Sequence, residues 1–245
     1  LVRQVPAADD GGPIDIIVHA ANPPGYRNWA GLLMPMLNNT ISAAKASGAR
    51  ILLPGNVYNF GPDAMPTLSE TSPQTPMTRK GAIRVEMEKA LRAAADEGVR
   101  SLTVRAGDFF GPKPTGGSWM SQGLVKPGRP LAAVTYPGPL EIAHAWAYLP
   151  DLAETFVRLL DTDLADFEVF HFRGQQATGQ ELVGALQVAA GRKVAVRRLP
   201  WFAFAVIAPF NEMIREMLEM KYLWDRPVLL DNTRLVAKLG AEPHT

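Results

Sequence analysis

Two basic residues four apart, Lys80 and Arg84, stand on the stripe of a helical segment that also carries Met87 and Leu91. At 100° per residue these four side chains share one face, whereas Arg79, Glu86, Lys89 and Arg92 point elsewhere. A cation on the apolar side of a helix needs a partner. Lys80 and Arg84 are therefore candidates for a cleft-facing role, the alternative being long stems that carry their charges out to water. Arg84 cannot relay protons near neutral pH, but it can bind hydroxyls or a phosphate. Asp108 lies just past a β-rich run, Val99 to Arg105, at the end where open α/β sheets bind ligands. It either touches a substrate or caps the turn that follows, and Arg105 has Asp108 or another carboxylate as a candidate partner. His19 ends an earlier apolar run, where a lone histidine is commonly a satisfied core residue, and Asn22 to Tyr26 directly after it borders the same cleft.

The elements that must position these residues alternate between short β-rich runs and longer helical patterns. That alternation predicts a parallel sheet covered on both faces. Ile14 to Ala20 reads as a buried strand, Asn28 to Ser47 as a helix closed by Gly48, and Arg50 to Pro54 as the next strand. A Gly/Pro/Asn-rich connection leads to a helix from about Thr78 to Glu97, with Ile83, Met87, Leu91 and Ala94 at helical spacing and Gly98 at its end. Val99 to Arg105 is the third strand. Lys113 to Gly138 is rich in Gly and Pro, with a short helix at Ser118 to Leu124. Beyond it come a helix from Asp151 to Leu160 with Asp151 as N-cap, a strand (Phe167 to Phe172), a helix (Gly179 to Ala190), a strand (Lys193 to Arg198) and an apolar helical region to Lys221. A last helix runs from Asp231 as cap to Gly240.

Four stretches in this order resemble the extended short-chain dehydrogenases/reductases, the NAD-dependent epimerase/dehydratase family. Asp15-Ile-Ile-Val-His-Ala-Ala21 is similar to the end of the family's fourth strand beside the cofactor. Gly48-Ala-Arg-Ile-Leu-Leu-Pro-Gly-Asn-Val-Tyr58 resembles its fifth-strand segment, and Val104-Arg-Ala-Gly-Asp-Phe-Phe-Gly-Pro112 the segment after its sixth. Ala147-Tyr-Leu-Pro-Asp-Leu-Ala153 is similar to the family's His-Val-Asp-Asp-Leu-Ala. The resemblance implies a Rossmann-type doubly wound α/β fold with a smaller C-terminal α/β substrate-binding region. The division expected is 1–112 for a partial dinucleotide-binding domain and 113–245 mainly for the substrate or lid region, with 139–172 returning to the main sheet.

The departures from the family are specific. No G-x-x-G-x-x-G occurs, and the first matching strand is the family's fourth, so the resemblance implies two βαβ units upstream of Leu1. The family's Tyr-x-x-x-Lys is replaced by Lys80 and Arg84, and its Ser by Pro54-Gly55 with Asn56 nearby, which fits the atypical branch. By resemblance the catalytic positions are Asn56, Tyr58, Lys80 and Arg84, with Tyr58 either a displaced acid/base or, the favoured reading, packing at a strand end. Cofactor-binding positions are His19, Ala20, Ala21, Asn22, Pro54, Arg84, Ala106 and Gly107. Substrate-binding positions are Asp108, Phe109, Tyr26 and Trp119.

Composition sets the outer limits. The 245 residues are 47% hydrophobic, enough for a full core. Lys+Arg at 25 against Asp+Glu at 24 argues against a general nucleic-acid binder. There is no cysteine, and His19, His144, His171 and His244 are too scattered for a metal cluster. Leu199 to Phe210 is too short to span a membrane, and no secretory signal pattern opens the chain, so a cytoplasmic protein is expected. Trp119, Trp146, Trp201 and Trp224 with Phe202, Phe204 and Phe210 predict a second small core or an apolar lid, and Met213, Met217 and Met220 a lid or homodimer contact. The expected ligands are NAD or NADP and a small or nucleotide-linked substrate. The activity expected is that of an oxidoreductase or epimerase-like enzyme, the alternative being a non-catalytic dinucleotide sensor or partner-binding module.

Overall fold

A computed structural model describes residues 14–23, 28–112, 118–125 and 128–245. Its elements, in chain order, are β1 (Ile16–Val18), α1 (Trp29–Ser47), β2 (Arg50–Gly55), β3 (Thr67–Leu68), α2 (Arg79–Ala95), β4 (Ser101–Arg105), β5 (Asp108–Phe110), β6 (Ala133–Tyr136) and β7 (Ala143–Tyr148). They continue as α3 (Leu149–Leu160), β8 (Phe167–His171), β9 (Gln175–Thr178), α4 (Gly179–Ala190), β10 (Ala195–Arg198), α5 (Trp201–Ile207), α6 (Glu212–Glu219), β11 (Leu229–Leu230) and α7 (Thr233–Leu239).

The main sheet has the order β1-β2-β4-β8, and each neighbouring pair is parallel. Strands buried on both faces read as continuous apolar runs because successive side chains enter opposite layers. Ile51 and Leu53 of β2 pack with Trp29, Leu33 and Leu37 of α1 and Met87 and Leu91 of α2. Leu52, Leu102 and Val104 face the other way, into Leu152, Phe156 and Leu159 of α3 and Leu235 of α7. β1 pairs on one side only among the described residues, and its Ile16 and Val18 are 40% and 60% exposed.

Local chemistry sets the helix ends. Gly48 takes the left-handed conformation at φ 75° and returns its N–H to the Ala44 carbonyl, closing α1. Thr78 accepts the Gly81 N–H at 3.0 Å to start α2. Thr178 and Glu181 form a reciprocal capping box at the start of α4.

A second sheet, β5-β7-β9, stands beside the main one, with β5 parallel and β9 antiparallel to β7. Of 139–172, β8 joins the main sheet and β7 belongs to this second one. Two short parallel pairs, β6 with β10 and β3 with β11, stand beside these sheets, and a single parallel bridge joins His144 to Val228.

Three local expectations are corrected. α3 starts at Leu149, two residues ahead of Asp151, with Pro150 in its first turn, where the fixed φ of proline suits the helix. Asp151 is therefore not the N-cap, and it accepts from the backbone N–H and hydroxyl of Thr245 instead. The last helix begins at Thr233, with Asp231 accepting the Thr233 N–H at 2.9 Å. Phe202 and Phe210 do not join the tryptophans, being 84% and 91% exposed.

Candidate functional site

β1 and β2 lie parallel, and their carboxyl ends come together beside α1 and α2, which pack on one face of the sheet. His19 follows β1 and is tied to β2 by its N–H to the Leu52 carbonyl, 2.8 Å. Its Nδ1 meets the Thr40 hydroxyl of α1 at 2.8 Å, and its buried Nε2 has no partner among the described residues. Burial, and then the charge of Arg84, lower the His19 pKa to about 4, so the imidazole is neutral at pH 7. The Arg84 guanidinium sits over the Trp29 ring, 5.1 Å from its centroid, with Nη1 3.8 Å from the Met87 sulfur. Arg84, His19, Trp29 and Thr40 thus converge from three elements. Ala20, Ala21 and Asn22 run on from His19 along the exposed surface, whereas Tyr26 lies outside the described residues.

Asn56 and Tyr58 are used locally. The Asn56 side-chain oxygen accepts the Tyr58 N–H at 3.0 Å, an Asx-type turn just after β2. The Tyr58 ring packs at the junction of two core clusters. A Cβ on Gly81 would meet the Tyr58 carbonyl at 2.3 Å, so glycine in the first turn of α2 lets this turn sit directly on the helix. Pro54 is half-buried at the end of β2.

Lys80 is 1% exposed and turns toward α6. Its Nζ donates to the Glu216 carbonyl at 3.0 Å, to Glu219 Oε2 at 2.7 Å and to the Glu216 carboxylate. Arg79 adds its guanidinium to Glu216 at 3.0 Å and its N–H to Glu219. Three acceptors match the three donors of an ammonium. The start of α2 is therefore clasped to α6 by two cations and two carboxylates.

A separate cluster lies at the second sheet. A Cβ on Gly107 would fall 2.1 Å from the Ala145 carbonyl, so the chain after β4 runs hard against β7 and delivers Asp108 to His144. Asp108 Oδ2 and His144 Nε2 are 2.6 Å apart. The His144 ring is stacked on Trp224 at 4.1 Å and meets Trp146 edge-on, and its buried Nδ1 has no partner among the described residues. Trp119 joins through Trp224, with centroids 5.3 Å apart, and Phe109 packs against the core under α3. Ala106 and Gly107 are buried, Ala106 within that same core. Burial and then the Asp108 charge push the neighbouring Tyr136 hydroxyl up to about 12.

Arg105 takes a carboxylate other than Asp108. Its Nε and Nη2 reach the two oxygens of Glu88 at 2.9 and 2.5 Å, and its Nη1 reaches His171 Nε2 at 3.0 Å. Gln74 and Asn59 extend this buried network, while His171 Nδ1 faces the Leu68 carbonyl. Trp29, Thr40, His144, Glu216 and Glu219 stand outside the set legible in the sequence. Only His144 had a local signal, its alternation with Trp146 along β7.

No protein-family model matches the chain, and no curated protein matches it in sequence. Solved structures do match. A dTDP-glucose 4,6-dehydratase from Streptomyces venezuelae, solved with NAD bound, superposes with a TM-score of 0.67 at 18% identity over 94% of this chain and 69% of its own. A UDP-glucuronic acid 4-epimerase from Bacillus cereus, in complex with NAD, gives 0.72 at 14% identity over 95% and 70%. The chain has the fold of these epimerases and dehydratases. A UDP-glucose 4-epimerase from Thermotoga maritima, with UDP-glucose, gives 0.69 at 18% identity over 94% and 71%. β1, β2 and β4, which carry three of the four motif stretches or adjoin them, are parallel neighbours in this order. Among the described residues no group of three or more His, Asp or Glu is placed to hold a metal, and no helix is long and apolar enough to cross a membrane.

Proposed function

We propose that the chain is part of an NAD(P)-binding oxidoreductase or epimerase-like enzyme acting on a small or nucleotide-linked substrate. The observation that carries this reading is the meeting of His19, Thr40, Trp29 and Arg84 at the carboxyl ends of β1 and β2, with the buried His19 Nε2 lacking a partner among the described residues. Open α/β sheets bind ligands at that end. An unpartnered buried imidazole nitrogen is costly unless a ligand or water satisfies it. The neutral imidazole and the adjacent guanidinium suit hydroxyl groups and a ribose or phosphate oxygen.

The nicotinamide-ribose end of a dinucleotide therefore fits the residues present, and Arg84, His19 and Asn22 would hold it. No glycine-rich turn among the described residues supplies a pyrophosphate cradle. When bound, the dinucleotide supplies hydride chemistry. Asp108 and Trp119 are proposed as the substrate end, with 1–112 serving mainly the nucleotide and 113–245 the substrate. The lack of cysteine suits a cytoplasmic setting. Calorimetric titration of the protein with NAD, NADH, NADP and NADPH tests the reading. Saturable binding of at least one is expected, and silence with all four sinks it.

One observation favours the second reading, a dinucleotide-binding protein without catalysis. Lys80, at the position that matches the family's tyrosine, has its donors taken by Glu216 and Glu219 and acts as a positioning residue for α6. Hydride exchange with any member of a panel of carbonyl compounds and nucleotide sugars would decide for catalysis.

A further inference from the structure

From residue 182 to residue 211 the chain contains no Asp or Glu but has Arg192, Lys193, Arg197 and Arg198. All four cations are exposed, Arg192 while donating to the Leu131 carbonyl at 2.8 Å. β10, which carries Arg197 and Arg198, is exposed at every residue and runs through Leu199 and Pro200 straight into α5. In α5 and the turn after it, Trp201 points inward and donates its indole N–H to the Pro137 carbonyl. Phe202, Val206 and Phe210 point outward instead, 84%, 60% and 91% exposed. Phe202 and Val206, four apart in α5, share one face, and Phe210 follows in the 3-10 turn directly after the helix. Ile207, at the end of α5, and Met213, in the first turn of α6, are also 44% and 49% exposed. Consecutive Cα atoms are about 3.8 Å apart, so Arg198 lies within about 15 Å of Phe202.

Contiguous exposed apolar surface of this kind marks an interaction site. Two exposed phenylalanines beside a block of cations are the composition of a segment that lies in a bilayer interface, rings in the acyl boundary and cations at the headgroups. We propose that β10 and α5 form a peripheral docking surface for an anionic lipid membrane. A second copy of the chain fits the face less well. A two-fold contact opposes one patch to itself, and this patch would bring two cation blocks together with no acid from 182–211 to pair them. Glu212 and Arg215, both exposed at the start of α6, offset one another. This surface is separate from the residues proposed to bind nucleotide and does not depend on that reading.

Sedimentation with phosphatidylcholine vesicles, and with vesicles that also contain phosphatidylglycerol, tests the proposal. The protein should pellet with the anionic vesicles, less so as salt rises, and stay in solution with the neutral ones. A variant carrying Phe202→Ser and Phe210→Ser, and another carrying Arg197→Glu and Arg198→Glu, should each lose roughly tenfold or more of the partitioning. All four positions are exposed, so both variants should keep the wild-type circular dichroism and melting temperature. No pelleting with anionic vesicles, or equal pelleting with neutral ones, overturns the proposal. So does a lipid-free dimer, seen by light scattering, that the phenylalanine variant dissociates.

Discussion

His19 and His171 are both buried imidazoles beside an arginine, and both are held neutral. Burial is the larger cause in each, followed by Arg84 for His19 and Arg105 for His171, and the pKa values fall from 6.5 to about 4 and about 3. The unfolded chain takes up these protons near pH 6.5 while the folded chain refuses them. Their contribution to stability is therefore complete above pH 6.5 and is lost progressively as the pH falls, toward about 4 for His19 and about 3 for His171. Over the first 1.5 units, to about pH 5, each histidine costs roughly 2 kcal/mol. Urea midpoints at pH 7.5 and pH 5 should show that loss, and a flat profile would mean that the imidazoles are solvated. Arg84→Gln should raise the His19 pKa by less than half of its depression, because burial persists without the charge. Imidazole NMR titration measures this. His19 was legible in the sequence as a strand-end histidine, but its Thr40 partner was not, since α1 meets β1 only in the folded chain.

α2 shows how one helix serves three neighbours. Lys80, Arg84 and Glu88 recur every four residues, and each turns inward to a different partner: α6, the His19 cluster and Arg105. Removing one member of a buried, doubly bonded ion pair leaves a charge uncompensated. Glu88→Gln should therefore destabilise the protein by about 3–5 kcal/mol in urea titration. Lys80→Met should instead loosen the start of α6, since Glu216 and Glu219 lose their shared cation. Faster hydrogen exchange across 212–219 is the expected sign, and unchanged exchange would show that α6 holds without the clasp. Helical periodicity placed Lys80 and Arg84 on the apolar stripe of α2. It could not supply the carboxylates, because Glu216 lies 136 residues away from Lys80. Short strands such as β3 and β11 were illegible for a related reason. Two residues carry no periodicity, and Thr67–Leu68 is a strand only because Leu229–Leu230 pairs with it.

Across the whole molecule, the parallel sheet was readable because each of its strands is an apolar run followed or preceded by a capped helix. The second sheet was not, since β5 follows β4 after two residues and its partner β7 ends directly at the first turn of α3. That sheet holds Asp108 in the company of His144 and Trp224, so the carboxyl-end surface has two chemically different parts. Arg84 offers a fixed cation beside a neutral imidazole, whereas Asp108 offers a carboxylate already bonded to His144. A dinucleotide's ribose and phosphate oxygens are acceptors or neutral donors, and they belong with the cation. Arg84→Gln should then weaken NADH binding about tenfold or more, the loss of a hydrogen bond to a charged group costing roughly 1.5–3 kcal/mol. Asp108→Asn keeps the shape and removes the charge, and it should leave NADH affinity within about twofold. If calorimetry gives the opposite order, the nucleotide lies against the second sheet, and the assignment of the two ends has to be reversed.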